Sequence, residues 1–269
     1  TGGMVFFSQP GPVGGRTGTL SGHVNVPAPG LLEIPQRDES LVLGFNVYAH
    51  SGEMFIDATD LELPAPGRGL SYRFRRRYES RHNFRGSLGH GWEHEYEDRR
   101  LSPALGGGNI VRATGTGRFD EYLHDAQGSR FVSPVGVFSR LFVGADGLFI
   151  ERDPDGTRYR YHPLDDSAAA GKLESITDRN GSRILFTRDA RGLITEARDV
   201  VGRAVTYQHD AGGRITSVSD STGRTVSFEY DAAGDLIAVT SPAVVGTPPL
   251  NEFPQGKRRE YEYSSGFAD

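Results

Sequence analysis

Two histidines four residues apart, His90 and His94, are the residues whose types and spacing most directly suggest metal binding. Glu93 lies between them, and further glutamates follow up to Glu97. This segment alternates aromatic and acidic residues, which is typical of a strand, and on a strand residues four apart are separated by about 13 Å. Zinc ligands must lie about 2.1 Å from the metal. We therefore predict no metal site here and assign Trp92 to the core.

Aspartates recur at Asp178, Asp199 and Asp220, and such a series could suggest calcium binding. Calcium needs about six to eight oxygen ligands that converge on one point. Each of these aspartates instead begins a separate Asp-x-x-Gly segment. Asp at the first position and Gly at the fourth are typical of a tight turn. We therefore expect turns here, and no metal or cofactor.

Other catalytic chemistry has little support in the sequence. The chain contains no cysteine, and it has no nucleophile elbow, phosphate-binding glycine loop or set of Cys and His ligands. Asp153-Pro154-Asp155-Gly156 fits a turn with proline at its second position. A hydrolase is a third hypothesis, which a pocket with converging carboxylates of raised pKa would support. We predict that the chain is not an enzyme and has no catalytic, cofactor-binding or metal-binding residues.

The composition limits the classes of partner. A formal net charge of −5 argues against a general nucleic-acid-binding protein. No apolar run approaches the roughly 18 residues needed to span a bilayer. The first residues lack a charged segment followed by an apolar one, so we expect an export signal to be absent or already removed. Glycine accounts for 36 of 269 residues, which favours short strands and many turns.

The aspartate turns belong to an internal repeat of 21 residues, with units that begin at Gly171, Gly192 and Gly213. A fourth unit begins at Gly234. Its middle glycine would fall at position 244 but stands at Gly256, which indicates an insertion of 12 residues at a hairpin tip. The other positions that repeat in register are Gly181, Gly202 and Gly223; Phe186, Tyr207 and Phe228; and Asp189, Asp210 and Asp231.

Each unit has room for two strands of about six residues and two tight turns, which is one hairpin. Ile215 and Val218 are three residues apart, which predicts a bulge in the first strand or burial on both of its faces. A lone hairpin is marginally stable, so the units must pair side by side into a continuous sheet. Because strands lie about 4.8 Å apart, we expect Phe186, Tyr207 and Phe228 to stack into an aromatic ladder.

The segments before the repeats divide into two predicted regions. Residues 1–40 form a Gly/Pro-rich lead-in or arm, or alternatively a strap across the end of the array. Residues 41–165 form a β region that includes degenerate hairpins from 110 to 163, and residues 165–170 form a helical turn or flexible joint. The repeat array covers residues 171–269. Further strands are predicted at 41–48, 53–56, 70–78 and 92–99.

Arg73, Arg75 and Arg77 alternate with aromatic residues in the third of these strands, which places three guanidinium groups on one face. A basic patch for nucleic acid is one interpretation. A solvated face, or pairing with acidic neighbours, agrees better with the acidic balance of the chain. Acidic neighbours of this kind include Glu93, Glu95 and Glu97.

The repeat resembles the tyrosine/aspartate (YD) repeats of the Rhs, teneurin and Tc-toxin C-component proteins. A second resemblance, to the segment that precedes the repeats in bacterial Rhs-type proteins, is carried by residues 60–64, 72–80 and 86–92. The turn at 153–156 is similar to an Asp-Pro-x-Gly element of Rhs shells that belongs after the array, whereas this one precedes it. The residues that match the repeat best are Gly213, Ile215, Asp220, Gly223, Arg224, Phe228, Tyr230 and Asp231.

The resemblance implies an all-β fold in which consecutive antiparallel β-hairpins form an extended, curved sheet, a section of a hollow β-shell. It further implies a scaffold segment of a secreted or surface-delivered bacterial protein whose full-length form encloses or carries a C-terminal toxin. Its main partner would then be the rest of its own polypeptide. Since the sequence contains neither a long repeat array nor a terminal effector, we expect this chain to be a fragment or one section of a larger polypeptide.

The alternative is an adhesion module in which exposed tyrosines and arginines bind a glycan or a neighbouring protein. The two hypotheses differ in the surface that they predict. A shell section should have its concave face closed by further hairpins. An adhesin should expose an aromatic patch of several hundred Å².

Overall fold

The computed structural model describes residues 5–6, 42–43, 46–48, 52–67, 69–105, 108–125, 130–246 and 252–263. Within these ranges all regular structure is β-strand, so the predicted all-β fold is confirmed. The predicted lead-in, residues 1–40, lies outside the described residues except for one short strand.

Four small groups of strands come first in the chain. Strand β1 (Val5–Phe6) is followed by the hairpin of β2 (Val42–Leu43) and β3 (Val47–Tyr48). A three-stranded antiparallel sheet contains β4 (Phe55–Leu63), β5 (Tyr72–Glu79) and β8 (Trp92–His94), with β5 in the middle. Between β5 and β8, β6 (Arg85–Gly86) pairs with β7 (Gly89–His90). We call β4, β5 and β8 the covering sheet.

The main sheet is a meander of 15 antiparallel strands in which each strand pairs with the next one in the chain. The hairpins of 110–163 and the repeat units therefore belong to one sheet, as predicted. Its strands are β9 (Arg99–Pro103), β10 (Ile110–Thr114), β11 (Phe119–His124), β12 (Arg130–Val132), β13 (Arg140–Val143), β14 (Phe149–Arg152), β15 (Arg158–Tyr161), β16 (Leu173–Thr177), β17 (Arg183–Arg188), β18 (Ile194–Arg198), β19 (Ala204–His209), β20 (Ile215–Asp220), β21 (Thr225–Tyr230), β22 (Leu236–Thr240) and β23 (Arg258–Glu260). The last strand, β24 (Glu262–Tyr263), pairs with β1.

Some predicted strand bounds are wrong. The described part of 41–48 is a hairpin because Asn46 adopts a left-handed φ of 56°, which Asn tolerates better than most residues. The strand predicted at 53–56 continues to Leu63. The strand predicted at 92–99 ends at His94, because Asp98 closes a turn there: its carboxylate accepts the His94 N–H at 2.8 Å. Residues 165–170 form turns, with an Ala170 N–H to Ser167 O bond of 3.0 Å, and no helix.

A bulge recurs in the first strand of each repeat hairpin. Gln208 pairs with Ser217, whereas the next residue, His209, pairs with Ile215, so one residue of β20 is unmatched. The same shift occurs where β17 meets β18 and where β21 meets β22. It leaves both Ile215 and Val218 fully buried, which confirms the predicted bulge.

The repeated aspartates form turns, as predicted. The Oδ1 atom of Asp220 accepts the N–H groups of Thr222 at 2.9 Å and Arg224 at 3.1 Å. The Arg224 guanidinium donates to the other carboxylate oxygen at 2.7 Å. Equivalent Arg to Asp pairs close two more turns, Arg203 with Asp199 and Arg214 with Asp210.

Strand β9 has neighbours on both sides. It pairs with β10 on one side, and on the other Arg100 forms a bridge with Lys172 while the Leu101 N–H donates to Gly171 O at 2.8 Å. The strands from β9 to β15 therefore curl back until the start of the repeats lies beside β9. The opposite edge of the main sheet, β23, pairs with no further strand within the described residues.

Two repeat-equivalent glycines allow a matched stability test. Gly192 and Gly213 occupy the same turn position, with φ of +75° and +85°. A Cβ atom at Gly192 would lie 1.9 Å from Ala168 O, whereas at Gly213 it would meet only Leu193 methyl groups, at 3.5 Å or more. The two positions thus share a backbone conformation and differ in their neighbours.

Gly213→Ala is expected to lower the free energy of unfolding by about 1–2 kcal/mol, because L-residues disfavour positive φ. Gly192→Ala should cost about 1–3 kcal/mol more, because the segment around Ala168 must move to admit the methyl group. Urea denaturation measures both values. If the two variants lost the same free energy of unfolding, the contact between Ala168 and the repeat would be contradicted.

Candidate functional site

The apolar face of the repeat sheet is covered by the rings of the covering sheet and of the turn after it. The Phe74 ring centroid lies 6.1 Å from that of Tyr207 and 5.3 Å from that of Phe228. Tyr96 lies 5.0 Å from Phe186. Among the described residues the three repeat rings contact these opposing rings and not one another. The predicted aromatic ladder is therefore wrong, because rings from the upstream strands interdigitate with the repeat rings.

Polar groups also join the covering sheet and the turn between β6 and β7 to the repeats and to β24. The fully buried Trp92, confirmed as a core residue, donates from Nε1 to the Tyr263 hydroxyl at 2.8 Å. The Ile215 N–H donates to Ser87 O at 2.8 Å. The turn arginine Arg224 donates to Glu62 O at 3.0 Å. The repeats are thus fastened to the upstream strands by directional bonds as well as by apolar packing.

Glu97, in the turn between β8 and β9, is a buried carboxylate on which three repeat residues converge. Its Oε2 accepts the Ile194 N–H at 2.7 Å. Its Oε1 accepts from Arg188 Nη1 at 2.9 Å, and the Lys172 ammonium lies 3.5 Å away. Since Arg188 is also buried, the pair compensates two charges that would otherwise be isolated in the interior.

Arg76 is fully buried within the covering sheet, and its guanidinium is enclosed by polar and aromatic groups. Nε donates to Asp60 Oδ2 at 2.5 Å, and Nη2 donates to the Tyr261 hydroxyl at 2.8 Å. The guanidinium carbon lies 4.5 Å from the centroid of the Trp92 ring. Burial opposes the charge, but attraction to Asp60 and Tyr261 outweighs it, and the pKa of Arg76 is raised. This charge therefore stays in the core as an ion pair.

The three arginines predicted to share one face pair with acidic neighbours, but the partners are carboxylates of β4 and β5 and not Glu93, Glu95 or Glu97. Arg73 Nε lies 3.0 Å from Glu62, and Arg77 Nη1 lies 2.6 Å from Asp57. Arg75 also contacts Asp57, at 3.1 Å. Glu62 and Asp57 stand directly opposite Arg73 and Arg77 in the register of β4 and β5, and Glu93 stands opposite Arg77 on the other side, in the register of β5 and β8.

A second ionic cluster lies inside the curl of β9 to β15. Glu151 is completely buried, and its Oε2 accepts from Arg99 Nη2 at 2.8 Å and from the Tyr161 hydroxyl at 2.6 Å. Its Oε1 accepts from Arg112, which also donates to Asp120. Burial acts to raise the pKa of Glu151, but attraction to Arg99 and Arg112 and the Tyr161 hydrogen bond lower it to about 2. We call these five residues the Glu151 cluster.

The structure places the two histidines of the sequence motif on different strands, His90 on β7 and His94 on β8. His94 is buried, stacks on Phe74 with ring centroids 4.2 Å apart, and accepts the Glu97 N–H at Nδ1 over 3.1 Å. Burial, with repulsion from His209 and Arg188, lowers its pKa to about 3. No group of three His, Cys, Asp or Glu residues suited to a metal ion occurs in the described part of the chain.

Glu93 and Asp98 are buried carboxylates with the raised pKa values that could support a hydrolase; burial also raises the pKa of Glu95, and that of Asp153, which lines a surface groove. Burial and then the charge of Asp98 raise the pKa of Glu93 to about 7, and burial also raises the pKa of Asp98. Their side chains are closed from solvent, with residue exposures of 2% and 4%. They accept backbone N–H groups, Gly117 on Glu93 and Ser87 on Asp98. They therefore do not form the open pocket that a hydrolase requires.

The repeats match a known family. Residues 169–204, 188–225 and 209–243 match the RHS Repeat, and residues 44–122 match a domain of unknown function, DUF6531. The chain is therefore a structural repeat protein, built from consecutive β-hairpins that follow a second β region. It belongs to the Rhs/YD-repeat proteins, as its sequence pattern predicted.

Solved structures that resemble the chain include two toxin assemblies. One is the Photorhabdus luminescens Tc holotoxin pore, with 15% identity, a TM-score of 0.28, and coverage of 74% of this chain and 11% of that chain. Another is a TcdB2-TccC3-Cdc42 complex, with 14% identity, a TM-score of 0.28, and coverage of 73% and 11%. This chain thus spans about a tenth of those chains. No curated protein matches it, and the described residues contain no apolar helix of membrane-spanning length.

Proposed function

We propose that this chain is a non-enzymatic scaffold segment of a secreted or surface-delivered bacterial protein whose complete polypeptide encloses or carries a C-terminal toxin. The observation that carries the proposal is the burial of Phe186, Tyr207 and Phe228 under upstream strands of the same chain. A face closed in this way suits an enclosing wall. We also propose the division into a lead-in at 1–40, a β region at 41–165 and a repeat array at 171–269, with the rest of the polypeptide as the main partner.

The adhesion alternative loses one of its two expected features. It requires exposed tyrosines, yet each of the 11 tyrosines lies in the described part of the chain and none is exposed. The aromatic patch of an adhesin is therefore not formed by tyrosines. Exposed arginines remain, and they are considered below.

The test of enclosure uses limited proteolysis of the complete polypeptide that contains this chain. The segment downstream of the repeats is expected to resist protease until denaturant unfolds the scaffold. Phe228→Asp, which puts a charge into the covered face, should remove this protection. Phe253→Asp is the matched control, because Phe253 is partly exposed and lies in the inserted loop. Digestion of the downstream segment while the wild-type repeats remain intact would contradict enclosure.

A further inference from the structure

Three arginines stand side by side on neighbouring strands of the main sheet. Arg140 on β13 pairs in register with Arg152 on β14, which pairs in turn with Arg158 on β15. Strands lie about 4.8 Å apart, so the three residues span about 10 Å across the sheet. All three are exposed, whereas their neighbours Leu141 and Glu151 are buried inside the curl. We call these three residues the arginine row.

Among the described residues, the arginine row is not ion-paired. None of its members forms an ion pair or a side-chain hydrogen bond within the part of the chain that the structure describes. Exposed arginines further along the same sheet do form ion pairs. The guanidinium nitrogens of Arg183 and Arg198 lie 2.6 Å from the carboxylate oxygens of Glu174 and Glu196, respectively. Like charges directly opposite each other destabilise neighbouring strands. A bound anion would remove this repulsion.

A groove lies beside the arginine row. It is open to solvent, has a volume of about 650 Å³ and is lined by Phe138, Arg140, Arg152, Asp153 and Pro154, a size typical of small-ligand sites. Phe138 is 78% exposed although it is a large apolar residue. With Pro154 it gives the groove an apolar wall, while the guanidinium groups can donate bidentate hydrogen bonds to planar or tetrahedral oxyanions.

We propose that the arginine row and the adjoining groove bind a short, negatively charged oligosaccharide. Its sulfate or carboxylate groups accept from Arg140 and Arg152, one sugar ring packs against Phe138, and Asp153 accepts a sugar hydroxyl. An acidic side chain beside the arginines suits a ligand that carries both anionic groups and hydroxyl donors. It suits a bare polyphosphate less well.

Nucleic acid fits this surface less well than a saccharide. Single-stranded nucleic acid is usually bound by a series of aromatic side chains on which successive bases stack. Phe138 is the one aromatic residue among those that line the groove. The net charge of −5 also opposes a long polyanion that extends beyond the row.

Isothermal titration calorimetry of the full chain with a heparin-derived tetrasaccharide tests the proposal. Binding should occur, and Arg140→Gln and Arg152→Gln should each weaken it by about tenfold, the effect of one lost charge-assisted hydrogen bond. Phe138→Ala should also weaken it. Arg198→Gln is the matched control, since it removes an exposed but ion-paired arginine of the same sheet, and should leave the affinity within about twofold.

Comparison ligands and thermal unfolding make the outcome decisive. Equal binding of neutral maltotetraose, of inorganic tripolyphosphate or of a short single-stranded oligonucleotide would overturn the saccharide assignment. Unchanged tetrasaccharide binding in both arginine variants would overturn the site. Arg152→Gln should have a melting temperature equal to or above that of the wild type, because it removes a like-charge contact. A loss of binding in that variant would therefore reflect the site and not unfolding.

Discussion

Replacing Glu151 with glutamine is expected to lower the free energy of unfolding by about 3–5 kcal/mol at pH 7. This carboxylate is completely buried and is the shared acceptor of Arg99 and Arg112. Without its charge, two guanidinium groups remain in the interior with Asp120 as the carboxylate still in contact. Urea denaturation measures the loss. Glu196→Gln, which removes a more exposed carboxylate, is the control and should change the value by less than about 1 kcal/mol.

The pH dependence of the Glu151→Gln effect identifies the charge as its cause. The folded-state pKa of about 2 lies below the ordinary value of 4.5, so the contribution of Glu151 is complete above pH 4.5 and is lost as the pH falls towards 2. The difference between wild type and variant should narrow by about 2 kcal/mol between pH 7 and pH 3. A difference that does not vary with pH would show that altered packing, and not charge, causes the loss.

Replacing His94 with phenylalanine is expected to make the protein less sensitive to acid. The pKa of His94 is lowered to about 3 from 6.5, so the unfolded chain takes up a proton that the folded protein excludes. Stability that is present above pH 6.5 is therefore lost on acidification, by about 3 kcal/mol between pH 8 and pH 4. Phenylalanine keeps a ring beside Phe74 but cannot titrate. Phenylalanine cannot accept the hydrogen bond from the Glu97 N–H, which lowers the free energy of unfolding by about 1 kcal/mol.

The stability curves of wild type and His94→Phe should therefore cross. The variant is expected to be about 1 kcal/mol less stable at pH 8 and about 2 kcal/mol more stable at pH 4. Glu93→Gln is the matched comparison, because the pKa of Glu93 is raised to about 7 and the charged form is disfavoured in the folded state. Glu93→Gln should be more stable than the wild type at pH 8 and should differ little from it at pH 4. Parallel curves for wild type and His94→Phe would contradict the burial of a neutral histidine.

The repeat hairpins were predictable because the information is local. An Asp-x-x-Gly turn is set by hydrogen bonds between residues at most four apart, as at Asp220. The three-residue spacing of Ile215 and Val218 likewise records the bulge within a single strand. A fixed period then places every hairpin in the same way relative to its predecessor.

The packing of the upstream strands on the repeats and the long-range polar contacts between them could not be predicted, because the partners are distant in sequence. Glu97 accepts a hydrogen bond from Ile194, 97 residues away in sequence, and Arg76 donates one to Tyr261, 185 residues away. Arg76 also stands among aromatic residues in an alternating pattern, which favours an apolar face. Its partner Asp60 lies in the part of β4 that the sequence did not indicate. No local pattern reports such pairs.

The two ends of the main sheet differ, since the outer side of β9 is occupied by residues 171–172 while β23 pairs with no further strand among the described residues. Growth of this sheet is consequently directional. During synthesis from the amino terminus, β9 is made first, and its outer side becomes occupied once residues 171–172 have been made. From that point each later hairpin has one strand edge on which to add, and a partly synthesised main sheet presents a single unpaired edge, which limits its opportunities to associate with other chains.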